Sequence, residues 1–444
     1  MVEKYDTVVI GAGPAGTAAA SSLKAQGEKV AIVEEDLWGG TCPNRGCDPK
    51  KILYAAVEAK AQADLLAGQG LNTQSSIEWS DLMANKRAYT KQISPGTHKS
   101  MTSSGIETFT GHAQFVDPHT LEIGQQTIEA QNVIIATGLR PRIPEIKGKE
   151  FLQTSTDFLD LDEMPASITI QGGGYVAFEL AGIASSAGAK VTLIHHNDRP
   201  LKAFPEKLVQ TLCDQLSENG VEIILNQEIT EVQKDSSGYR VMGNDGFDRE
   251  TDRVFTAVGR IANVDPLGLD QINVEHSSKG VKVNEHLQSD VTHIYAIGDS
   301  AASPVPKLTP VAGFEANYVV EQILGDHTEI KYPLVPTIIF SLPKLSQVGV
   351  SVQQAQEDTD RYQVRTTNME EWITYKRQHE KQVLVQLVID QKQDKVVGAA
   401  CLSMEADEMI NYLRLLIKHE YSAKEIQQML FNYPTTASDI QYLY

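Results

Sequence analysis

The sequence predicts an α/β fold containing two βαβ units, each opening on a glycine-rich turn. Two observations predict it. Tyr5 to Ile10 is an apolar, β-branched run that ends in GAGPAG, and Ser167 to Ile170 is a similar run that ends in GGGYVA. After each turn comes a small-residue helical pattern and then a second strand pattern, so the same unit occurs twice, about 160 residues apart.

In order along the chain, the first unit is a strand at Tyr5–Ile10, a helix to about Gln26 and a strand at Lys29–Val33. The second is a strand at Ser167–Ile170, a helix to about Ser186 and a strand at Lys190–Ile194. The turns read Gly11, Gly13, Gly16 and Gly172, Gly174, Ala177, which is Gly-x-Gly-x-x-small in both cases. The first glycine permits the tight turn, the second lets backbone approach a pyrophosphate, and the third position lets helix pack on strand. The pyrophosphate then lies at a helix N-terminus, among free N–H groups and the positive end of the dipole. One such turn alone is a weak signal; two predict two bound dinucleotides, a flavin and a nicotinamide.

Composition bounds the rest. A chain of 444 residues suggests about three domains at roughly 150 residues each. Its 39 Lys plus Arg against 58 Asp plus Glu give a net charge of −19. That argues against nucleic acid as a partner, where basic surface must replace counterions, and against an anionic membrane face. No apolar run approaches the ~18 residues of a membrane span. The N-terminal MVEKYDTVVIGAG runs straight into a strand without a basic leader, so a cytoplasmic location is expected. There is no low-complexity tract and no solenoid repeat.

The residue closing each second strand refines the ligand. Glu34 can accept hydrogen bonds from ribose hydroxyls. The same offset in the second unit falls on His195, followed by His196, with Arg199 and Lys202 close behind. A carboxylate there would repel a 2′-phosphate, whereas these bases attract it. The first unit therefore reads as the FAD site and the second as an NADPH site, with NADH disfavoured; a plain solvated basic loop is the alternative.

The segment GGTCPNRGCDPKKIL, from Gly39, places Cys42 and Cys47 five residues apart. Pro49 suits the first turn of a helix, and Lys50 to Leu65 continues as an alanine-rich helical pattern. Cys47 thus falls just ahead of a helix N-terminus with Lys50 and Lys51 within a turn, a setting that lowers a thiol from its usual ~8.5. Buried apolar cysteines, or half of a metal site, are the competing readings. A zinc site typically begins Cys-x-x-Cys and needs four ligands; here four residues intervene and no second Cys/His cluster follows. No metal is predicted, and a redox disulfide is the favoured reading. Cys213 and Cys401 read as packing residues.

GGTCPNRGCDPKK is similar to the redox-disulfide motif of the class I pyridine nucleotide-disulfide oxidoreductases, the family of glutathione reductase, dihydrolipoamide dehydrogenase and mercuric reductase. The resemblance covers nearly the whole chain. GHAQF at Gly111–Phe115 resembles the adenine-contact segment, which points to Ala113; VIIATG at Val133–Gly138 resembles the strand and turn closing the first domain, which points to Thr137. TAVGRIAN at Thr256–Asn263, with Gly259, resembles the corresponding segment of the nicotinamide domain. YAIGDSAA at Tyr295–Ala302 resembles the second FAD motif and implies that Asp299 holds the ribityl chain. IIFSLPKLSQVGVS, from Ile338, resembles the opening of a dimerisation domain.

The resemblance implies two Rossmann-like dinucleotide-binding domains plus a C-terminal α+β dimerisation domain: FAD-binding over 1–150 and 266–332, NAD(P)-binding over 151–265, and the interface over 333–444. It implies a homodimer with shared active sites and a small disulfide substrate. Electrons pass from NADPH through flavin to the pair, Cys47 being the sulfur nearer the flavin and Cys42 the one that attacks substrate. Thr41 and Lys50 would lie at the flavin, Glu179 would pair with Lys50, and Tyr175 would cover the flavin until nicotinamide enters.

The C-terminus departs from that pattern. The family ends in His-Pro-Thr followed closely by Glu, and that histidine moves protons for the cysteines of the partner subunit. Here the end is NYPTTASDIQYLY, with Tyr433 at the histidine place and Ser438, then Asp439, at the glutamate place. An imidazole titrates near ~6.5 and can take and give protons at neutral pH; a phenol near ~10 donates a hydrogen bond but is a poor base. Ser21 stands where glutathione reductases carry a substrate-binding arginine. The expected activity is an NADPH-dependent, glutathione reductase-like reduction of a small disulfide. Its alternatives are a related reductase of a metal ion, quinone or oxidant, an NADH-dependent enzyme like dihydrolipoamide dehydrogenase, or a redox-sensing switch.

Overall fold

The computed structural model describes residues 2–72, 75–236 and 238–444. By compactness the chain divides into two units, one of residues 1–52, 84–142 and 259–333, the other of residues 53–83, 143–258 and 334–444.

The first unit is built on a sheet in the order Glu107–Thr110, Val30–Glu34, Glu3–Ile10, Gln126–Ile135, Thr120–Ile123, Ala113–Asp117. The first four strands run parallel. Gln126–Ile135 is antiparallel to Thr120–Ile123 through its first half and parallel to Ile294–Ala296 through its last residues. Strands covered on both faces need unbroken apolar runs; accordingly Val30 to Glu34 are all buried. The register sets Ile10 level with Val33 and Ile135, and Ile135 level with Ala296. The residues that follow these strands therefore emerge together at one carboxyl edge, where ligands bind in open α/β sheets. Helix Pro14–Ala25 opens with Pro14 at a position that needs no N–H and buries the small face Ala15, Gly16, Ala19, Ala20 and Leu23. Those alanines share a core with Ala312, Ala316 and Val319 of helix Thr309–Ile323.

The second unit carries a parallel sheet in the order Val221–Ile224, Lys190–Ile194, Ser167–Gln171, Arg253–Thr256. Its crossover helix Tyr175–Ser186 is buried from Ala177 to Ala184. A C-terminal antiparallel sheet runs Thr337–Ile339, Lys344–Gly349, Lys395–Ser403, Leu384–Asp390, Tyr362–Asn368. Leu384–Asp390 is buried along its whole length, and the amphipathic helix Ala406–Lys418 shares a core with it. Around this sheet large apolar side chains stay exposed: Leu430, Tyr433, Tyr442, Leu415 and Ile373.

The α/β architecture with two nucleotide-type βαβ units is the one the sequence predicts. One element departs. The segment around the cysteines forms a short helix, Thr41–Arg45, before the long helix, and the long helix starts at Cys47 itself. Cys47 is thus inside the first turn, where backbone N–H groups are free and Pro49 is tolerated.

One buried ion cluster ties the second unit together. Lys344, whose side chain is 5% exposed, lies 2.5 Å from Glu58 and 2.9 Å from Asp407. Removing the ammonium leaves two carboxylates facing each other, a costlier change than losing a surface pair. Lys344→Met is expected to lower stability by about 2–3 kcal/mol; urea unfolding of the dimer checks it, and an unchanged midpoint would show that the cluster is solvated.

Candidate active site

The first glycine-rich turn is set by close backbone approach. A Cβ on Gly16 would lie 1.9 Å from the Gly11 carbonyl oxygen, and Gly11, at φ +103°, leaves only 2.4 Å to the Ala136 carbonyl oxygen. Gly13 caps helix Pro14–Ala25. Gly40, at φ +67°, would place a Cβ 2.6 Å from the Gly13 Cα, and the Gly39 N–H donates to the Ala12 carbonyl at 2.9 Å. The turn leading to the cysteines is therefore seated directly on the glycine-rich turn.

Glu34 closes its strand with its carboxylate buried. Its two oxygens accept the Ala12 N–H at 2.8 Å and the Asp36 N–H at 2.9 Å, and burial raises its pKa. Asp299 follows strand Ile294–Ala296 in the turn Gly298–Ser300; burial raises it against the pull of Lys307 and Arg260. Thr137, just past strand Gln126–Ile135, keeps a buried hydroxyl with no hydrogen-bond partner, and Ala113 heads a strand with its side chain buried. A clear backbone turn at a helix N-terminus, an orphaned hydroxyl and a buried acid at one sheet edge fit a flavin dinucleotide.

The second turn is similar at Gly172 and Gly174. Gly174 caps the crossover helix, with no atom within 4 Å of the place a Cβ would take, and Ala177 is fully buried. His195 is buried. Its ring packs against Gly173, where a Cβ would come within 2.4 Å of Nδ1, and neither ring nitrogen has a hydrogen-bond partner. Burial lowers its pKa from the ordinary value, so at neutral pH it is an uncharged ring beneath the turn and supplies no positive charge. Arg199 is also diverted: it lines a cavity with Phe204, Lys207, Ser351 and Gln386. His196 and Lys202 remain exposed beside the turn, so the basic set that could meet a 2′-phosphate narrows to these two. Gly259 lies in the first unit and accepts the Arg142 N–H at 3.0 Å.

The cysteines sit in consecutive helices separated by Gly46, where a Cβ would come 2.9 Å from the Thr41 carbonyl oxygen. Asn44 braces the turn, donating to the carbonyls of Trp38 at 3.0 Å and Gly40 at 2.8 Å. Both sulfurs are half-buried free thiols. Thr309 Oγ1 donates to Cys42 Sγ at 3.2 Å and lies 3.8 Å from Cys47 Sγ. Sequence reasoning misses Thr309; its only local signal is the Leu-Thr-Pro start of a helix. The pair is electrostatically asymmetric. The hydrogen bond from Cys42, helped by Thr309, Lys50 and Lys51 and opposed by burial, brings Cys47 down to about 6. The same bond, with burial, pushes Cys42 well above the ordinary thiol range. The two shifts run in opposite directions, Cys47 toward the thiolate and Cys42 toward the thiol.

Glu179 is buried and accepts the Phe340 N–H at 3.0 Å, and Tyr175 is 49% exposed at the start of its helix. Tyr433 is 68% exposed. Ser438, at the family's glutamate place, is buried in the cap of helix Thr436–Asp439, exchanging hydrogen bonds with Thr435 at 3.0 and 3.1 Å. Asp439 is buried as well, with its carboxyl raised by burial. Among the described residues no helix is long and apolar enough to cross a membrane.

Two nucleotide turns and an asymmetric dithiol define an α/β redox enzyme. The chain matches the family model for pyridine nucleotide-disulphide oxidoreductases over residues 5–316 and its dimerisation domain over residues 335–444. It is 32% identical to a glutathione reductase of Burkholderia cepacia, covering 98% of this chain and 97% of that one. It is 30% identical to a dihydrolipoyl dehydrogenase of Geobacillus stearothermophilus over 97% and 93% of the two chains. Among solved structures it is similar in fold to a Cu(II) complex of a mutant of the HOCl-induced flavoprotein disulfide reductase RclA of Escherichia coli, with a TM-score of 0.91, 23% identity and coverage of 100% and 99%. The chain belongs to the class I pyridine nucleotide-disulphide oxidoreductase family and is an NAD(P)H-dependent flavoprotein enzyme of the disulfide reductase type. Its dimerisation domain implies a homodimer.

The thiol asymmetry is directly testable. In the reduced protein Cys47 is expected to ionise near about 6. Cys42→Ala removes the donor and should move Cys47 up by at least about one unit, toward ~8.5. The pH dependence of Cys47 alkylation, located by peptide mass spectrometry, reads this. An unmoved Cys47 would assign the depression to Lys50, Lys51 and Thr309 alone.

Proposed function

We propose that the protein is an NADPH-dependent reductase of small disulfides, acting as a homodimer whose two active sites are shared between subunits. The observation that carries this reading is the Cys42–Thr309–Cys47 arrangement, in which one hydroxyl lies 3.2 Å from one sulfur and 3.8 Å from the other, and the surroundings favour the thiolate at Cys47 and disfavour it at Cys42. Bound FAD supplies two-electron transfer between nicotinamide and the cysteine pair. Gly11, Gly13 and Gly16 would receive its pyrophosphate, Glu34 its ribose, Asp299 its ribityl chain, Ala113 its adenine, and Thr41, Lys50 and Thr137 the remaining polar contacts. Gly172, Gly174 and Ala177 would receive the nicotinamide nucleotide, with Gly259 nearby, His196 and Lys202 toward a 2′-phosphate, and neutral His195 supporting the turn. Tyr175 would close over the flavin, and Glu179 would answer the charge of Lys50.

Exchange requires a thiolate attacking sulfur through a mixed disulfide. Cys42 attacks the substrate and Cys47 then attacks Cys42, releasing the second product thiol. Tyr433 carries a hydroxyl that can donate a hydrogen bond to a departing sulfur.

A second reading has its own support. Ser438 is committed to a helix cap, so no acid at that place orients Tyr433 as the family's glutamate orients its histidine. An acceptor that needs little proton transfer, such as a metal ion, a quinone or an oxidant, would tolerate that. Steady-state oxidation of NADPH against small disulfides, Hg(II), Cu(II), quinones and oxygen separates the two. A negligible rate with every disulfide beside a high rate with another acceptor would replace the first reading by the second.

NADPH is expected to have a KM at least about tenfold below that of NADH, a difference of ~1.4 kcal/mol, and Lys202→Ala should narrow the gap; equal values in the wild type would refute the 2′-phosphate assignment. Tyr433→Phe should slow disulfide turnover on the order of tenfold or more while leaving flavin reduction by NADPH unchanged in single-turnover measurements. No effect on turnover would make Tyr433 a packing residue.

A further inference from the structure

The charges around the two sulfurs are divided. Lys50 and Lys51 act on Cys47, whereas the charges that act on Cys42 are Cys47 itself and, after it, the carboxylate of Asp48, both of which oppose ionisation there. Asp48 sits in the first turn of helix Cys47–Leu65, directly after Cys47. Its Oδ2 accepts the Tyr89 phenol at 2.7 Å, and Tyr89, 41% exposed, reaches it from helix Trp79–Thr90. That hydrogen bond to Asp48, with burial, raises the Tyr89 phenol, and the charge of Cys42 adds to the effect. The arginine of the same segment does not balance the acid: Arg45 is paired with Asp36. Thr309, the other neighbour of Cys42, is neutral and exposed.

We infer that Asp48, held in place by Tyr89, selects by charge the disulfide that meets Cys42, favouring cationic over neutral and neutral over anionic disulfides. The inference rests on the disulfide-reductase reading above and narrows its substrate class. A cation entering this mouth is attracted by Asp48 and offsets its field on Cys42, so the attacking sulfur ionises more readily. An anion does the opposite on both counts. In the exchange Cys42 loses its proton, its sulfur bonds to one sulfur of the substrate, and the substrate S–S bond breaks. Cys47 thiolate then bonds to Cys42 sulfur and the mixed disulfide breaks. The two departing thiolates take one proton from Cys42 and one from solvent. The substrate gains the two electrons that the cysteine pair loses.

The test compares kcat/KM of the flavin-loaded dimer for cystamine, hydroxyethyl disulfide and oxidised glutathione, which are cationic, neutral and anionic. Asp48→Asn should narrow the cystamine-to-glutathione disulfide ratio by about five- to tenfold, mainly by improving the anionic substrate. Added salt should narrow the same ratio in the wild type. Tyr89→Phe, which frees the carboxylate and keeps the ring, should narrow it by a smaller factor. A readout independent of turnover uses the Cys47→Ser protein: the ratio of Cys42 alkylation by iodoacetate to that by iodoacetamide should rise when Asp48→Asn is added. If the wild type reduces all three disulfides but Asp48→Asn leaves both ratios unchanged, charge selection is wrong and the disulfide-reductase reading stands. If none of the three is reduced while other acceptors are, that reading falls and this inference with it.

Discussion

The seat of Gly40 on Gly13 is the constraint from which the site follows. With 2.6 Å between a Gly40 Cβ position and the Gly13 Cα, the turn leading to the cysteines has no room for a side chain at Gly40. The glycine-rich turn is itself fixed from below by the Gly11 carbonyl against Gly16. A nucleotide-type turn and the turn that carries Cys42 thereby become one backbone assembly. Glu34 reinforces it, because its buried carboxylate accepts N–H groups from Ala12 on the turn and Asp36 on the approach to the cysteines. Loosening any of these contacts moves the redox pair relative to the carboxyl edge of the sheet.

From that assembly the electrostatics follow. Cys47 lies in the first turn of a long helix, and Thr309 at the first turn of another. Helix N-termini favour negative charge, and a single hydroxyl reaches both sulfurs. The Cys42–Cys47 hydrogen bond lowers Cys47 and raises Cys42. Burial opposes both ionisations, so the asymmetry comes from donors and lysines and not from exposure.

What the sequence reveals is what short-range chemistry encodes. Both glycine-rich turns are legible because the Gly-x-Gly-x-x-small pattern spans only six residues, although the backbone that Gly11 and Gly172 pack against, at Ala136 and Ala257, is distant in sequence; Cys47 is legible because Pro49 and the lysines adjoin it. The fold class follows from the repeated unit. Thr309 is illegible because it stands 267 residues from Cys42 and its own surroundings read only as a helix start. His195 misleads because charge at a strand end is a tertiary property: the absent side chain of Gly173 makes the pocket that buries the ring, and burial removes the charge. The short helix Thr41–Arg45 is missed because Pro43 and Gly46 read as turn residues, whereas its first turn tolerates proline.

Tyr433 acquires its meaning from the same asymmetry. With Cys42 as the protonated partner, the sulfur that must attack is the one that must first lose a proton. An imidazole at the family's histidine place takes that proton and returns it. A tyrosine hydroxyl there can donate a hydrogen bond to the departing thiolate. The proton must then leave Cys42 for the substrate's own sulfur or for water, and the ease of that transfer depends on the field at Cys42. Asp48 raises that field's cost and a positively charged acceptor lowers it. Under the proposed disulfide exchange, Tyr433 and Asp48 would therefore bear on one step, the ionisation of Cys42, and the charge of the acceptor would bear on it too.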